Sequence, residues 1–101
     1  MDVVKPARLA EFKTRHPTAG PGLDKWLAVV KAAQWTRFQD VRNVYRYADE
    51  VRVTSGRRVT VFNIGDGFRL LTAIRYNRSK VFVMRFLTHA EYDKEHWKAQ
   101  L

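Results

Sequence analysis

The sequence predicts an α+β fold: a twisted antiparallel sheet of about three or four strands, an N-terminal αα-hairpin on one face and a short C-terminal helix. Three observations carry this prediction. Apolar residues recur at helical spacing in the first third of the chain, β-branched and aromatic runs fill residues 57–87, and a helix-capping motif follows. With 101 residues, 46% of them hydrophobic, we expect one domain spanning residues 1–101.

The N-terminal segment is predicted to form a short strand and then a helix. Residues 2–5 are extended in character, and Pro6 suits the first helical position because its missing N–H is not needed there. Leu9 and Phe12 fall on one face of a helix that should end at about Arg15.

A second helix is predicted after a break at "HPTAGPG", residues 16–22, whose prolines and glycines interrupt helical structure. Its apolar stripe has i, i+3, i+4 and i+7 spacing and consists of Leu23, Trp26, Leu27 and Val30. The helix should end at about Gln34 and pack beside the first as a hairpin.

The middle of the chain changes from mixed to strand-like patterning. Residues 36–55 are predicted to be a surface segment with one helical turn. Beyond them, "RRVTVFNI", "GFRLLTAIRY" and "KVFVMRFL" are separated by "GDG" and "NRS", the pattern of a three-stranded antiparallel meander. Apolar residues on both faces of these strands indicate that something besides the hairpin covers the second face.

The final element is predicted from a capping box, in which Thr88 and Glu91 each satisfy a free amide at a helix start. The helix should begin at His89. One face would then carry four polar side chains: His89, Tyr92, Asp93 and His96.

Charge is the strongest global signal, because 19 Lys and Arg against 10 Asp and Glu give a formal net charge of +9. Residues 42–85 hold nine arginines and one lysine against three acidic residues, a net charge of +7. Arginine binds phosphate bidentately, so nucleic acid is a natural partner, and an acidic protein or an anionic membrane is an alternative. A merely solvated cationic surface is the simplest alternative.

Several classes of protein are not expected. The chain has no cysteine, which excludes disulfides and thiolate metal sites. No apolar run approaches the roughly 20 residues of a membrane span, and the N-terminal residues lack the apolar region of a signal peptide. We therefore expect a cytoplasmic location and no membrane association.

The polar helix face has two further interpretations. His89, Asp93 and His96 could supply two imidazoles and a carboxylate to a metal, but the two histidines would lie about 10 Å apart along the axis, too far to share one ion. A solvated helix face is the alternative. No metal and no cofactor are predicted.

Arg85 interrupts an apolar strand, and a lone cation there is costly unless an anion meets it. It should pair with a carboxylate or bind a ligand. Arg69 and Arg75 lie on one face of the preceding strand, but six residues place them about 20 Å apart, so only one can join the same pocket. Arg69, near the turn, is the predicted member.

The stretch "VFNIGDGFRLLTAIRYNRSKVFVMRFLTHAEYDK" resembles the core of the HigB toxins of bacterial toxin-antitoxin pairs, within the RelE group of messenger-RNA-cleaving toxins. The resemblance covers residues 59–94 and is carried by "FNI", the Arg69 strand and "THAEYDK" together. It implies a cytoplasmic, metal-independent endoribonuclease that enters the ribosomal decoding site and cuts translated messages. It also implies a HigA-like antitoxin with a helix-turn-helix domain, through which the pair binds operator DNA.

The resemblance also assigns candidate site residues. Arg69 and Arg85 match phosphate-binding arginines, Tyr92 matches a tyrosine that stacks on a base or moves a proton, and His89 lies one turn away. Four cations would hold the flanking RNA: Arg57, Arg58, Arg75 and Lys94. Many RelE relatives have lysines where this chain has Arg57 and Arg58, so proton removal should fall to His89 or Tyr92, because arginine is a poor base.

Two other functions fit the same residues. A non-catalytic RNA-binding module would use the arginines for phosphates and Tyr45, Tyr47 and Tyr92 for stacking. A degenerate toxin would act mainly as a co-repressor with its antitoxin. Growth arrest on expression would separate the nuclease from both.

Overall fold

A computed structural model of the chain describes residues 1–101 and has five strands and five α-helices. The strands are β1 (Asp2–Val4), β2 (Asp49–Arg52), β3 (Arg58–Ile64), β4 (Phe68–Arg75) and β5 (Lys80–Thr88). The helices are α1 (Ala7–Arg15), α2 (Gly20–Ala32), α3 (Phe38–Val44), α4 (His89–Asp93) and α5 (Trp97–Gln100). The predicted α+β class, hairpin, meander and capping box are confirmed.

The strands form one sheet in the order β1-β5-β4-β3-β2. All neighbours are antiparallel except β1, which runs parallel to β5 through the pairs from Asp2 with Lys80 to Val4 with Phe82. The predicted number of strands, three or four, was therefore too low, because the sheet has five. β2 and the parallel position of β1 were not foreseen.

The helix face of the sheet, defined as the side against which α1 and α2 pack, holds the larger core. Sixteen buried residues form one cluster there, with Phe62 at its centre, and Trp26, Trp35 and Tyr45 contact the Phe62 ring. Helix α2 lies very close to the sheet, since a Cβ at Gly22 would be 2.9 Å from Ile64 Cγ2. Glycine at this position allows the close packing.

The cleft face, defined as the opposite side, has a smaller core that α5 covers. Five buried residues form it: Val53, Val59, Val61, Leu71 and Trp97. Because the strands carry apolar residues on both faces, the sequence predicted that some element would cover this second face, and α5 is that element.

A β-bulge between β4 and β5 changes the register on the cleft face. Leu71 pairs with Arg85 while Thr72 pairs with Val83, so Met84 is the additional residue. Met84 packs against the cluster that contains Leu71, and Arg85 lies opposite Leu71. The bulge therefore places both side chains on the cleft face.

Three predicted boundaries were wrong. Helix α2 starts at Gly20, after a short 3-10 turn at Pro17–Ala19, so part of the predicted break is helical. Residues 36–55 contain α3 and β2, and Val41 is fully buried, so this is not only a surface segment. Helix α4 ends at Asp93, because Glu95 has a left-handed backbone with φ +61°.

No helix in the structure is both long enough and apolar enough to cross a bilayer; α2, the longest, has 13 residues.

Candidate active site

Arg69 is the centre of a polar cluster on the cleft face. The half-buried guanidinium donates from Nη1 to the Phe68 carbonyl at 2.9 Å and from Nη2 to His89 Nδ1 at 3.0 Å. Its Cζ atom is 6.0 Å from the centre of the Tyr92 ring. Three of the four predicted catalytic side chains, Arg69, His89 and Tyr92, are therefore in contact.

The start of α4 fixes His89 beside this arginine. The Glu91 amide donates to Thr88 Oγ1 at 3.2 Å, and the Thr88 amide donates to Glu91 Oε1 at 2.9 Å. The Thr88 amide bond also lowers the pKa of the Glu91 carboxyl, which keeps it ionised in this role. The His89 amide donates to the Gly67 carbonyl at 2.7 Å and ties the helix to the turn before Arg69.

The two hydrogen bonds of the His89 ring determine its tautomer. A guanidinium can only donate, so Nδ1, which contacts Arg69, must be the unprotonated nitrogen. The ring proton is then on Nε2, which lies 3.1 Å from Asp93 Oδ2 and donates to it. His89 is thus a neutral imidazole held between a cation and a carboxylate.

Asp93 was not among the predicted catalytic residues. The i, i+4 spacing that placed it on the His89 face was the available signal, and it was considered only for a metal site. Its observed contact is with the histidine itself, so this carboxylate can orient the ring.

Tyr92 is half-buried between the cluster and the C-terminal segment. Its ring stacks on Trp97, with ring centres 5.2 Å apart and planes inclined by 16°, and Trp97 Nε1 donates to the Tyr92 carbonyl at 3.0 Å. Burial raises the pKa of the Tyr92 phenol, and the Asp49 charge raises it further. The phenol is therefore protonated at neutral pH and available as a donor.

Arg85 lies on the same face but outside this contact group. Arg69 pairs with Leu87 on the neighbouring strand, and Arg85 is two residues before Leu87, so Arg69 and Arg85 are diagonal neighbours. Residues in this relation are typically about 7–8 Å apart. Arg85 Nη1 donates to Gln100 Oε1 at 2.9 Å, and no hydrogen bond or ion pair joins it to His89 or Tyr92. A carboxylate was one partner expected for Arg85. The observed partner is the neutral amide of Gln100, so the positive charge of the guanidinium is not compensated.

The four predicted flanking cations separate into two pairs. Arg57 and Arg75 line a groove of about 1100 Å³ together with Arg85. Arg58 lies outside this groove and forms an exposed ion pair with Glu50, with 3.2 Å between Nη1 and Oε1. Lys94, at the end of α4, is exposed and also outside the groove.

The tyrosines proposed for base stacking differ in accessibility. Tyr45 packs edge-on against Phe62 in the helix-face core, with ring centres 5.2 Å apart. This packing leaves the ring unavailable for stacking on a base. Tyr47 is 73% exposed. Tyr92 stacks on Trp97 with one ring face, and the Arg69 guanidinium lies 6.0 Å from the ring centre.

The predicted stripe from His89 to His96 is not a continuous helix face. The chain turns at Glu95, so His96 precedes α5 and lies beyond the end of the helix that carries His89 and Asp93. No group of three or more His, Asp or Glu side chains is arranged as metal ligands.

Comparison with known proteins gave a match to one protein family. No curated protein sequence matched the chain. Residues 19–95 match the family described as HigB_toxin, the RelE-like toxic component of a toxin-antitoxin system. The match covers α2, the whole β2 to β5 region and α4, including every contact of the Arg69 cluster. The chain therefore belongs to the HigB toxin family and has its RelE-like α+β fold.

Proposed function

We propose that the chain is a ribosome-dependent endoribonuclease that cleaves translated messenger RNA and so inhibits translation. The observation that carries the proposal is the contact of Arg69 with His89, beside the ring of Tyr92. This cluster supplies a cation, a neutral imidazole and a protonated phenol on one accessible face. The chain also belongs to a family of toxins.

The proposed reaction is attack of a ribose 2′-oxygen on the adjacent phosphorus. The P–O bond to the 5′-oxygen breaks, so a base must take the 2′-OH proton and an acid must supply a proton to the leaving oxygen. Cations stabilise the charge that develops on the phosphoryl oxygens. Each of these roles has a candidate side chain in the cluster.

His89 is the proposed base, acting through Nδ1. That nitrogen carries no proton in the free protein, and Asp93 at Nε2 stabilises the imidazolium that forms when the 2′-OH proton arrives. Nδ1 first has to exchange Arg69 for the hydroxyl. A bound phosphate favours this exchange because it offers the guanidinium a charge-assisted partner in place of a neutral ring.

Tyr92 is the proposed acid, because its raised pKa keeps the phenol protonated and disfavours a role as base. We also propose that its ring stacks on a base next to the cut, on the side away from Trp97, once Arg69 has turned to the phosphate. Arg69 and Arg85 are the proposed phosphate ligands. Arg57, Arg58, Arg75 and Lys94 remain proposed contacts to flanking RNA, with the first and third best placed because they line the Arg85 groove.

The toxin of a toxin-antitoxin system has an antitoxin as partner. We propose that this partner is HigA-like, has a helix-turn-helix domain, and is the only route by which the pair binds operator DNA. The proposed place of action is the decoding site of the ribosome in the cytoplasm.

Primer extension on a message translated in a cell-free system tests the proposal. Wild-type protein should produce cuts only while translation proceeds. Replacing one charge-stabilising group should slow cleavage by about 100-fold or more, so Arg69→Ala and Arg85→Ala should both abolish visible cuts. Arg37→Ala, which removes the same charge from an exposed position distant in sequence from the site, is the matched control and should cut normally.

Two outcomes would overturn the proposal. Salt-sensitive RNA binding by the wild type without any cut product would indicate a non-catalytic binding module. Absence of both cutting and growth arrest, with a stable antitoxin complex, would indicate a toxin retained only as co-repressor.

A further inference from the structure

The short helix α5 contacts two of the side chains to which the proposed reaction assigns a role. Its last residue, Gln100, accepts a hydrogen bond at Oε1 from Arg85 Nη1 at 2.9 Å. Its first residue, Trp97, stacks on the ring of Tyr92 with ring centres 5.2 Å apart. One element therefore supports the proposed phosphate ligand and the proposed acid at the same time.

Helix α5 is itself fixed to the rest of the fold. Trp97 is buried in the cleft-face core. The Thr54 amide donates to the Lys98 carbonyl at 3.0 Å, and Ser55 Oγ donates to the Leu101 carbonyl at 2.9 Å. These two bonds tie the helix to the turn between β2 and β3. The backbone that carries the glutamine is therefore held on two sides.

The Arg85 guanidinium has no partner in the protein other than Gln100. It forms no second hydrogen bond and no ion pair, although the side chain is half-buried on β5. Fixing a long side chain costs conformational entropy when a ligand binds, and a partner that holds the side chain beforehand removes part of that cost. The contact with Gln100 is the one interaction that can orient the guanidinium in this way.

The neutral charge of this partner matters for an anionic ligand. A carboxylate at the same place would compensate the guanidinium and repel a phosphate. The amide oxygen of Gln100 uses one N–H group and leaves the positive charge in place. The other N–H groups of the planar fork can still bind phosphate oxygens through parallel hydrogen bonds. Gln100 can thus orient Arg85 without competing for its charge.

We propose that Gln100 is a positioning residue, which holds the Arg85 guanidinium in the orientation that binds the scissile phosphate. It acts through Arg85 and does not contact the RNA itself. Trp97 supports Tyr92 from the other end of α5, so the two groups keep a fixed relation to each other. The inference rests on the proposed function in one respect, because it takes Arg85 to be a phosphate ligand.

Gln100→Met tests the hydrogen bond, because methionine is similar in length to glutamine but accepts hydrogen bonds only weakly. In primer extension on a translated message, the maximal rate at saturating protein should fall about fivefold or more. The protein concentration that gives half of this rate should stay within about twofold of wild type. Gln34→Met, the same change at an exposed position beyond the end of α2, is the matched control and should cut normally.

The direction of the change distinguishes positioning from other roles. Faster cleavage by Gln100→Met would mean that the amide blocks Arg85, and unchanged cleavage would mean that the contact has no role. Slower cleavage accompanied by a matching fall in the free energy of unfolding would indicate a purely structural residue. Each of these three results would overturn the proposal.

Gln100→Glu tests the requirement for a neutral partner. Glutamate keeps the length and the acceptor atoms but places a negative charge beside the guanidinium of Arg85. We expect cleavage to be slower than in Gln100→Met, because the charge of Arg85 is compensated as well. Gln34→Glu controls for the added charge and should cut normally. Cleavage at the wild-type rate by Gln100→Glu would refute the proposal.

Nitrogen NMR of the Arg85 side chain tests the contact without RNA. A guanidinium held at one Nη atom rotates slowly about its Nε–Cζ bond, so the wild type should give separate Nη1 and Nη2 signals that merge in Gln100→Met. Arg37, which is exposed and forms no side-chain hydrogen bond, should give one averaged signal in both proteins. An averaged Arg85 signal in the wild type would overturn the inference. In a protein that shows the expected difference but cuts no message, the failure belongs to the proposed nuclease function, and the positioning of Arg85 by Gln100 stands.

Discussion

The two faces of the sheet are built from the same strands but differ in what lies over them. On the helix face, sixteen buried residues form one cluster in which aromatic rings surround Phe62. On the cleft face, Trp97 covers four other buried residues, and the rest of the surface carries arginines. The alternation of side chains along β3, β4 and β5 thus separates residues that stabilise the fold from residues proposed to carry out chemistry.

The polar atoms of the two faces differ in the same way. The helix face buries Trp26 Nε1 and the Tyr76 hydroxyl without a hydrogen bond of good geometry, which is tolerated where packing is extensive. On the cleft face, Arg69 and Arg85 have hydrogen-bond partners, but all of them are neutral: a carbonyl, an imidazole and an amide. Neither arginine forms an ion pair with a carboxylate. The cleft face therefore retains positive charge for an anion.

Phe62→Ala tests the stabilising side of this comparison and should have the largest effect. The side chain is fully buried among three aromatic rings, so we expect the free energy of unfolding to fall by about 3–5 kcal/mol in a denaturant titration.

Trp97→Ala is the matched truncation on the cleft face. Trp97 is also buried, but it covers the smaller cluster, so its loss should cost less global stability and mainly speed amide exchange in α5. An equal loss of stability in the two variants would show that the smaller core contributes as much to global stability as the larger one.

Asp93→Asn tests the chemical side of the comparison. Asparagine can still accept a hydrogen bond from His89 Nε2, but it cannot stabilise the imidazolium that forms during proton transfer. Both side chains are more than half exposed and screened by water, so we expect cleavage to slow by only about tenfold. The free energy of unfolding should not change measurably.

Glu95→Gln is the control for the lost charge, since Glu95 is nearby but pairs with Lys98 and should leave cleavage unchanged. The ring ¹⁵N shifts of His89 provide a second measurement, because the wild type should be protonated at Nε2. A predominantly Nδ1-protonated ring would contradict the proposed base.

The sequence predicted the regular parts of the fold well because period and capping are local signals. The prediction failed where contacts between distant parts of the chain determine the local structure. Pro21 and Gly22 looked like helix breakers, yet proline is tolerated in the first turn and glycine admits the Ile64 contact. β2 is a short, charged edge strand without an apolar run, and its pairing with β3 defines it.

The site was predicted only in part for the same reason. Helical spacing placed His89 and Tyr92 together, but the break at Glu95, a residue type that rarely adopts a left-handed backbone, gave no signal, and the His96 position was wrong. The contact of Arg69 with His89 depends on the turn at Gly67 and on strand register. The position of Arg85 depends on a bulge, which the pattern of β5 does not reveal.

Tyr76→Phe should have the smallest effect and the opposite sign. The Tyr76 hydroxyl is buried against the helix-face core and forms no hydrogen bond of good geometry, the Thr60 side chain giving it only a weak contact. Removing it therefore relieves a poorly paired polar group. We expect the free energy of unfolding at neutral pH to rise by about 1 kcal/mol. Tyr47→Phe, at a side chain that is 73% exposed, is the control and should be neutral.

The same substitution should change the alkaline pH dependence of stability. Burial, reinforced by the Glu50 charge, raises the pKa of Tyr76 to about 12 from its ordinary value of 10.0. The folded protein therefore keeps the phenol proton where the unfolded chain loses it, so Tyr76 makes stability fall as pH rises from about 10 to about 12. Denaturant titrations across this range should show that fall in wild type and a smaller one in Tyr76→Phe. Identical alkaline slopes in the two proteins would mean that the hydroxyl reaches water, and that the helix face is less tightly closed than its packing indicates.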